Sequence, residues 1–587
     1  MMIIVIIFFS LLANLIVFMP FFSLGLFGDD WLAIYRYSYY LDYPKHLGPY
    51  STEYFNHFKY FLNAYGTQDM LMAFLYNNFG SGSNVYFVLS YILRLSAGFS
   101  IYFPAFYLTK NRFASVFATI FFLFSSIGLE ASNWVFNMPS YIFIIFFNFF
   151  LYCSLIFYKE TQLKYLILTY LFFTLTFIST PIRAHGLLSF ALLLEFFWLI
   201  KKDNRKFFKF SVLRIIIYLL ILSSIFLLGF KETISGNSLI GISRGITNSI
   251  HLLSQNHFDF LFYPLITVGS MLIPESFFHV TWSIGNLNQL LFNLIIPYLV
   301  IFFLIITLLK LNIKISDNKF MQKIFLLGAV WSCLVIIIYK NNISLFSNPV
   351  YTSLLLIGGY LLILILYLSK KLVNPFYNIF LIGIGWTFIS FLYPWWVSQN
   401  LIILTHHRYL IISGIGISLI LAGLISLSKN YKSYLILSIL CCFLIFLHTI
   451  STRDFLQDQF QKHNREVVEK IWSQMPYISE VGKSSKPLIL YFEGDGTNSG
   501  IIGDSITFGF PPHMGIIYKI TEENLMPIPM SEWKDVTSAV IDGKSLAPHN
   551  RPQKPIPVEQ IYSFRLEGED NLIDTTEGTR KKLIDLK

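Results

Sequence analysis

The chain has 587 residues, 55% of them hydrophobic and only 13% charged, with a mean hydropathy of +0.60. Soluble domains carry roughly twice that share of charge, so an ordinary soluble fold is excluded. The net charge of +10 does not point to nucleic acid either, because the basic residues gather in short clusters between apolar runs.

Those runs are about 18 or more residues long, enough to cross about 30 Å of hydrocarbon; examples are 2–27, 139–158, 211–230, 285–309, 351–369 and 409–428. The chain is apolar from Met1, with no basic segment or cleavage site, which predicts a retained first helix rather than a signal peptide. Basic clusters follow at Lys110/Arg112, Lys159/Lys164, Lys201–Lys209, Lys310–Lys323, Lys370/Lys371 and Lys429/Lys432. Each comes after an even number of crossings if the first helix starts inside, and by the positive-inside rule these clusters are cytoplasmic. The expected spans are 2–24, 85–109, 113–129, 139–158, 165–180, 187–200, 211–230, 285–309, 320–338, 351–369, 376–393, 409–428 and 433–450. The stretch 261–273 is too short to span comfortably and reads as a re-entrant or interfacial piece.

Three segments on the outer face are long: 28–84, 231–284 and the tail 451–587. The tail has ordinary polarity, a helical stretch at 454–475, a strand-like run Pro487–Phe492 and Gly/Pro-rich connections, the making of a small domain. The expected fold is therefore an all-α polytopic membrane protein of about 13 transmembrane helices over 1–450, followed by a small extracytoplasmic α/β domain over 451–587. The N-terminus is cytoplasmic and the plasma membrane is the expected location. Cys153, Cys333, Cys441 and Cys442 all fall within apolar spans, so neither a disulfide framework nor a metal cluster is expected.

Just after the first helix comes Phe27-Gly28-Asp29-Asp30-Trp31. A carboxylate held at the membrane surface can serve as general base towards an acceptor hydroxyl or amide. Trp31 can anchor at the interface or offer a stacking face to a sugar. The plain alternative is a solvated turn in which Asp caps the next helix.

A first helix, an acidic dipeptide opening a long first outer loop and an amphipathic stretch before helix two resemble the layout of the GT-C membrane glycosyltransferases. That group includes protein O-mannosyltransferases, aminoarabinose transferases and the catalytic subunits of oligosaccharyltransferases. The resemblance implies that Asp29 or Asp30 acts on the acceptor or orients the reaction, and that the donor is a sugar on a polyprenyl phosphate or diphosphate. The helix count and outer tail are similar to the last two branches. The tail nevertheless lacks Trp-Trp-Asp-Tyr-Gly, and Trp395-Trp396 is followed by Val397, so protein N-glycosylation is not expected.

Such a donor leaves as a phosphate, and fixed positive charge stabilises it in the transition state. Arg183 and Arg408 stand at outer helix ends, where Lys and Arg are otherwise sparse, and a guanidinium binds phosphate bidentately. Interfacial snorkelling is the bland reading. His185, His406 and His407 can assist phosphate binding or move protons. A metal is possible on paper from these histidines and the aspartates, but nothing in the spacing demands one, and no cofactor is expected.

Glu275 is either a further acceptor-side carboxylate or a solvated loop residue. Arg94, in the middle of helix two, is expensive there unless paired; Glu130 and Glu195 are the candidate partners. Gly503-Asp504-Ser505 matches the nucleophile block of SGNH esterases, but no Asp-x-x-His follows it, so hydrolase chemistry is not expected. The resulting expectation is a membrane glycosyltransferase. It would move a sugar from a polyprenyl-phosphate donor to an outer glycan, lipid or protein, among membrane lipids and without nucleic acid. The rival is a lipid-linked saccharide flippase or transporter, or a surface-polysaccharide polymerase.

Overall fold

The computed structural model describes residues 2–26, 28–35, 62, 65–80, 82–202, 205–225, 227, 231–279, 326–335, 337, 349–371, 378–399, 401–428, 431–457, 467–476, 478, 486–494, 499–506, 509–520, 525–549, 553–568 and 570–586. The span expected at 285–309 lies outside them, as do Arg36 and most of the first outer segment.

Helices dominate. In chain order they are α1 (Met2–Phe18), α2 (Asp29–Tyr35), α3 (Gly66–Phe79), α4 (Ser83–Thr109), α5 (Arg112–Phe124), α6 (Pro139–Glu160), α7 (Leu163–Ser179), α8 (Leu187–Lys202), α9 (Arg205–Ile225), α10 (Lys231–Ser254) and α11 (Tyr263–Leu272). Then come α12 (Pro349–Lys371), α13 (Ile379–Val397), α14 (Gly414–Ser426) and α15 (Tyr431–Gln457). Local sequence sets their ends. Asn111 opens α5 by accepting the amides of Phe113 and Ala114, and Asn378 opens α13 by accepting those of Phe380 and Leu381. Lys110 and Thr161 close α4 and α6 in the left-handed conformation, and Pro139 occupies the first turn of α6, where a missing N–H costs nothing.

Among the described residues five helices are long and apolar enough to cross a membrane: Val5–Ser23, Asn84–Thr109, Val135–Glu160, Ile379–Val397 and Tyr434–Gln457. Most of the other expected spans coincide with shorter apolar helices, among them Arg112–Phe124, Leu163–Ser179, Leu187–Leu199, Val350–Leu366 and Gly414–Ser426. The short stretch near 261–273 is α11, ten residues buried against α12. Its approach is close enough that a Cβ on Gly269 would lie 2.0 Å from the Leu354 carbonyl, so only glycine fits. Residues 231–279 of this segment are thus largely helical, where the sequence had suggested a connection.

Phenylalanine fills the bundle. Trp386 is buried and stacks on Phe147 with ring centres 3.8 Å apart, flanked by Phe143 and Phe190. In the tail, β1 (Ile489–Glu493), α16 (Phe510–Ile517), β2 (Ile528–Met530), α17 (Trp533–Ile541), β3 (Ile561–Glu567), β4 (Asn571–Asp574) and α18 (Thr576–Ile584) follow. The sheet order is β2-β1-β3-β4, with β1 parallel to β2 and β3, and with β3 and β4 antiparallel. Side chains alternate along β1: Leu490 and Phe492 join the large core shared with the helices, while Ile489 and Tyr491 enter a second core beneath α17. The strand-like run predicted at Pro487–Phe492 is this buried central strand.

Candidate functional site

Two loops beyond the ends of the long helices lie against one another and form the floor of the site. The Gly128 amide donates to the Thr405 carbonyl at 2.7 Å, and the Glu130 amide to the His406 carbonyl at 2.9 Å. Thr405 is tied down from the other side, its hydroxyl donating to the Ser270 carbonyl and its amide to Glu275 Oε2 at 3.3 Å. Thr267 adds a hydrogen bond to the Ile403 carbonyl at 2.8 Å. Helix α11 therefore matters as a rigid backing for residues 403–406.

Glu275 is buried, with Oε1 3.4 Å from His406 Nδ1, while His406 Nε2 lies 2.8 Å from Ser451 Oγ on α15. Burial pushes the Glu275 carboxyl up, but its contacts with His406 and the Thr405 amide outweigh that and hold it below its usual range. This corrects the reading of Glu275 as a solvated loop residue: it is a buried carboxylate that fixes the His406 segment.

Arg183 sits on the helical turn Pro181–Gly186, buried, and donates to Asn137 Oδ1 and to the Arg408 carbonyl. The Tyr409 ring lies beside it, 5.5 Å from centroid to guanidinium. Burial lowers Arg183 to about 10, which leaves it charged at neutral pH. Arg408 directs both its amide and its guanidinium at Glu130 Oε2, 3.2 and 3.4 Å away, and covers the Trp134 ring at 4.7 Å. Arg408 thus holds the Glu130 carboxylate while Arg183 holds the Arg408 carbonyl, and the Arg408 and Glu130 side chains remain 29% and 32% exposed, open to an incoming anion. His407 Nδ1 accepts the Tyr409 amide at 3.3 Å. Burial, then the two arginines, lowers its pKa against the pull of Glu130. A neutral ring with Nδ1 so occupied carries its proton on Nε2, as a donor.

The acidic dipeptide reaches the same place. Asp30 is fully buried and its Oδ1 accepts the Phe136 amide at 2.7 Å. Asn137, the next residue, is the one that holds Arg183. Asp29 shares the first turn of α2, half-buried, where the helix N-terminus favours a carboxylate. Asp30, Arg183 and Arg408 are thus linked through Phe136-Asn137 and the Arg408 carbonyl, with Asp29 beside Asp30, His407 beside Arg408, and Glu275 one step further away through Thr405 and His406. The backbone of His185 belongs to the same turn as Arg183, but its side chain lies outside the described residues.

Trp31 is covered by protein rather than exposed. It is buried, its indole N–H donates to the Leu26 carbonyl at 3.2 Å, and its ring meets His513 at 4.2 Å and Trp472 at 6.2 Å. That corrects its reading as an interfacial anchor or an open stacking face. The packing is made by the tail. Gly509 of the loop before α16 lies where a Cβ would come 2.8 Å from the Gly28 amide, and Gly515 faces the Tyr35 ring. Helix α16 thus lies on the acid-bearing α2. Burial lowers the sandwiched His513 to about 4.

Arg94 pairs with neither Glu130 nor Glu195. It is buried and donates to the carbonyls of Phe122 and Ser125, at 3.3 and 2.6 Å, and to the Ser132 and Tyr141 hydroxyls. The end of α5 offers these free carbonyls, so a carboxylate is unnecessary. Glu195 is instead taken by Arg214. Gly503 and Ser505 fall on the short helix Ser499–Ser505. Sequence reasoning missed Asn137, Trp134, Tyr409, Ser451 and His448, whose Nδ1 accepts the Ser126 amide at 3.2 Å. Ordinary polar and aromatic residues in loops carry no spacing signal; only Glu130 stood out, and it was assigned to the wrong arginine.

Among the described residues no three His, Cys, Asp or Glu side chains are grouped to hold a metal ion. No protein-family profile matches the chain, and no curated protein sequence matches it. The arrangement of these groups is therefore the ground for a functional reading.

Proposed function

We propose that the chain is a polytopic membrane glycosyltransferase of the GT-C kind, with about 13 spans and an outer C-terminal domain, taking its sugar from a polyprenyl phosphate. The observation that carries the reading is the run of contacts from Asp30, the neighbour of Asp29 on α2, through Phe136-Asn137 to Arg183 and on to Arg408 and Glu130. Asp29 removes the proton from the acceptor hydroxyl. The acceptor oxygen bonds to the anomeric carbon as the bond from that carbon to the phosphate oxygen breaks. The electron pair leaves with the phosphate, and Arg183, Arg408 and the Nε2–H of His407 receive it. Asp30 holds the Phe136 amide and so sets α2 against the arginine loop. Glu275 acts through the Thr405–His406 segment, and the tail, lying on α2, covers the acid side and meets the acceptor.

The flippase reading needs mobile charge along a path through the bilayer. Among the described residues the buried arginines inside the bundle are tied down: Arg94 by carbonyls, Arg214 by Glu195. The test is to purify wild type and an Asp29→Asn variant from the native host and identify the co-purifying lipids by mass spectrometry. A polyprenyl-phosphate sugar retained on the variant and depleted on wild type is the expected result. The same loaded lipid on both chains, or no polyprenyl species on either, would remove the transferase reading.

A further inference from the structure

A second feature lies at the opposite end of α5 from the arginine loop. Helices α1, α4, α5 and α6 enclose a groove of about 770 Å³, lined by Leu11, Phe99, Phe103, Phe106 and Tyr152, with Arg112 in its wall. That volume falls in the range of roughly 300–1,000 Å³ typical of ligand pockets. Arg112 opens α5, and 13 residues separate it from the loop that carries Glu130, about 20 Å along the axis. The groove is therefore separate from the acid–arginine site.

Its walls face the hydrocarbon. Phe8 and Phe9 on α1 are 63% and 61% exposed, and Phe99 and Phe103 are exposed beside the opening. Its polar end is cationic. Arg112 is exposed and makes no ion pair among the described residues. Lys110 follows the end of α4, with Nζ 3.9 Å from the Tyr107 ring centre. Burial and the charge of Lys159 hold Lys110 below its usual range, as expected for cations gathered without a full complement of anions. Glu160, the neighbouring acid, offsets one of the three positive charges.

We propose that this groove binds a phospholipid with an anionic headgroup. The acyl chains lie along Leu11, Phe99, Phe103 and Phe106, and the phosphate lies against Arg112 with Lys110 and Lys159 at its rim. Charge complementarity selects the occupant: a zwitterionic lipid fills the apolar groove equally well but leaves the cations uncompensated. The inference rests on the membrane reading and is independent of the transfer reaction.

Native mass spectrometry of the full chain tests it, with phosphatidylglycerol and phosphatidylcholine of matched chains as the probes. Wild type is expected to retain phosphatidylglycerol about fivefold better for each cation engaged. Arg112→Gln/Lys159→Gln is expected to bring the two lipids close to parity, and replacing Thr119, which also lines the groove, by the bulkier side chain in Thr119→Trp to reduce retention of both. Melting temperatures of the variants serve as the control for folding. Equal retention by wild type, or a preference unchanged in the charge variant, would overturn the proposal. So would displacement of phosphatidylglycerol from the groove by polyprenyl phosphate, which would assign it to that lipid instead.

Discussion

Arginines occur in two settings in this protein, and the contrast separates structure from chemistry. Inside the bundle, Arg214 donates to both oxygens of Glu195 at 2.8 and 2.6 Å, with the Trp198 ring 4.3 Å from its guanidinium carbon. Tyr158 donates a further hydrogen bond to Glu195 at 2.5 Å. Arg94 is met by backbone carbonyls and hydroxyls. Arg214 is matched by a carboxylate and Arg94 is enclosed by neutral acceptors. In the loops, Arg408 faces Glu130, and Arg183 donates to Asn137 and to the Arg408 carbonyl. Arg94 and Arg214 are buried, whereas Arg408 and its partner Glu130 stay 29% and 32% exposed. Enclosed arginines lock helices together; a part-exposed arginine at a helix end is fit to receive an anion.

The two settings should respond differently to mutation. The largest effect is expected for Asp29→Asn and Arg183→Gln, each lowering sugar transfer by about 10²–10³, measured as loss of label from a radiolabelled donor lipid, with little change in melting temperature. Arg214→Gln should do the reverse. It leaves Glu195 buried and unpaired, which costs about 3–5 kcal/mol of stability in detergent melting, with specific activity of the folded fraction preserved. The double replacement Arg214→Met/Glu195→Leu removes both charges and should fall near wild type in stability. A double variant as unstable as Arg214→Gln would show that the pair does more than cancel.

A smaller effect tests the contact between the tail and α2. His513 titrates near 4 in the folded protein against 6.5 when free, so the unfolded or undocked state binds the proton more readily. Docking is therefore at full strength above pH 6.5 and weakens as pH falls from 6.5 towards 4. Hydrogen exchange of α2 and α16 should accelerate over that window, and His513→Phe should flatten the dependence. Exchange that accelerates equally in the variant would place the titrating group elsewhere.

Much of the bundle was legible because apolar length and basic clustering are properties of single segments. Arg183 and Arg408 stood out in the sequence as isolated cations, and the structure places them on short helical turns, while Asp29 and Asp30 open α2. What connects them was not legible. Asn137, Tyr409 and the Phe136 amide belong to loops whose partners lie far away in sequence, and no local period announces a backbone donor. Glu275 looked solvated because it follows a proline in a long connection, and only the packing of α11 buries it. Trp31 looked interfacial because its cover, His513, comes from the tail.

The central claim is that the part-exposed arginine of the loop site holds a lipid phosphate. The direct measurement is the Kd of polyprenyl phosphate for the detergent-solubilised chain in wild type, Arg408→Gln and Arg214→Met/Glu195→Leu. Loss of one charge-assisted contact predicts at least about tenfold weaker binding for Arg408→Gln, and no change for the bundle variant. An unchanged Kd in Arg408→Gln, or the same loss in both variants, would contradict the account.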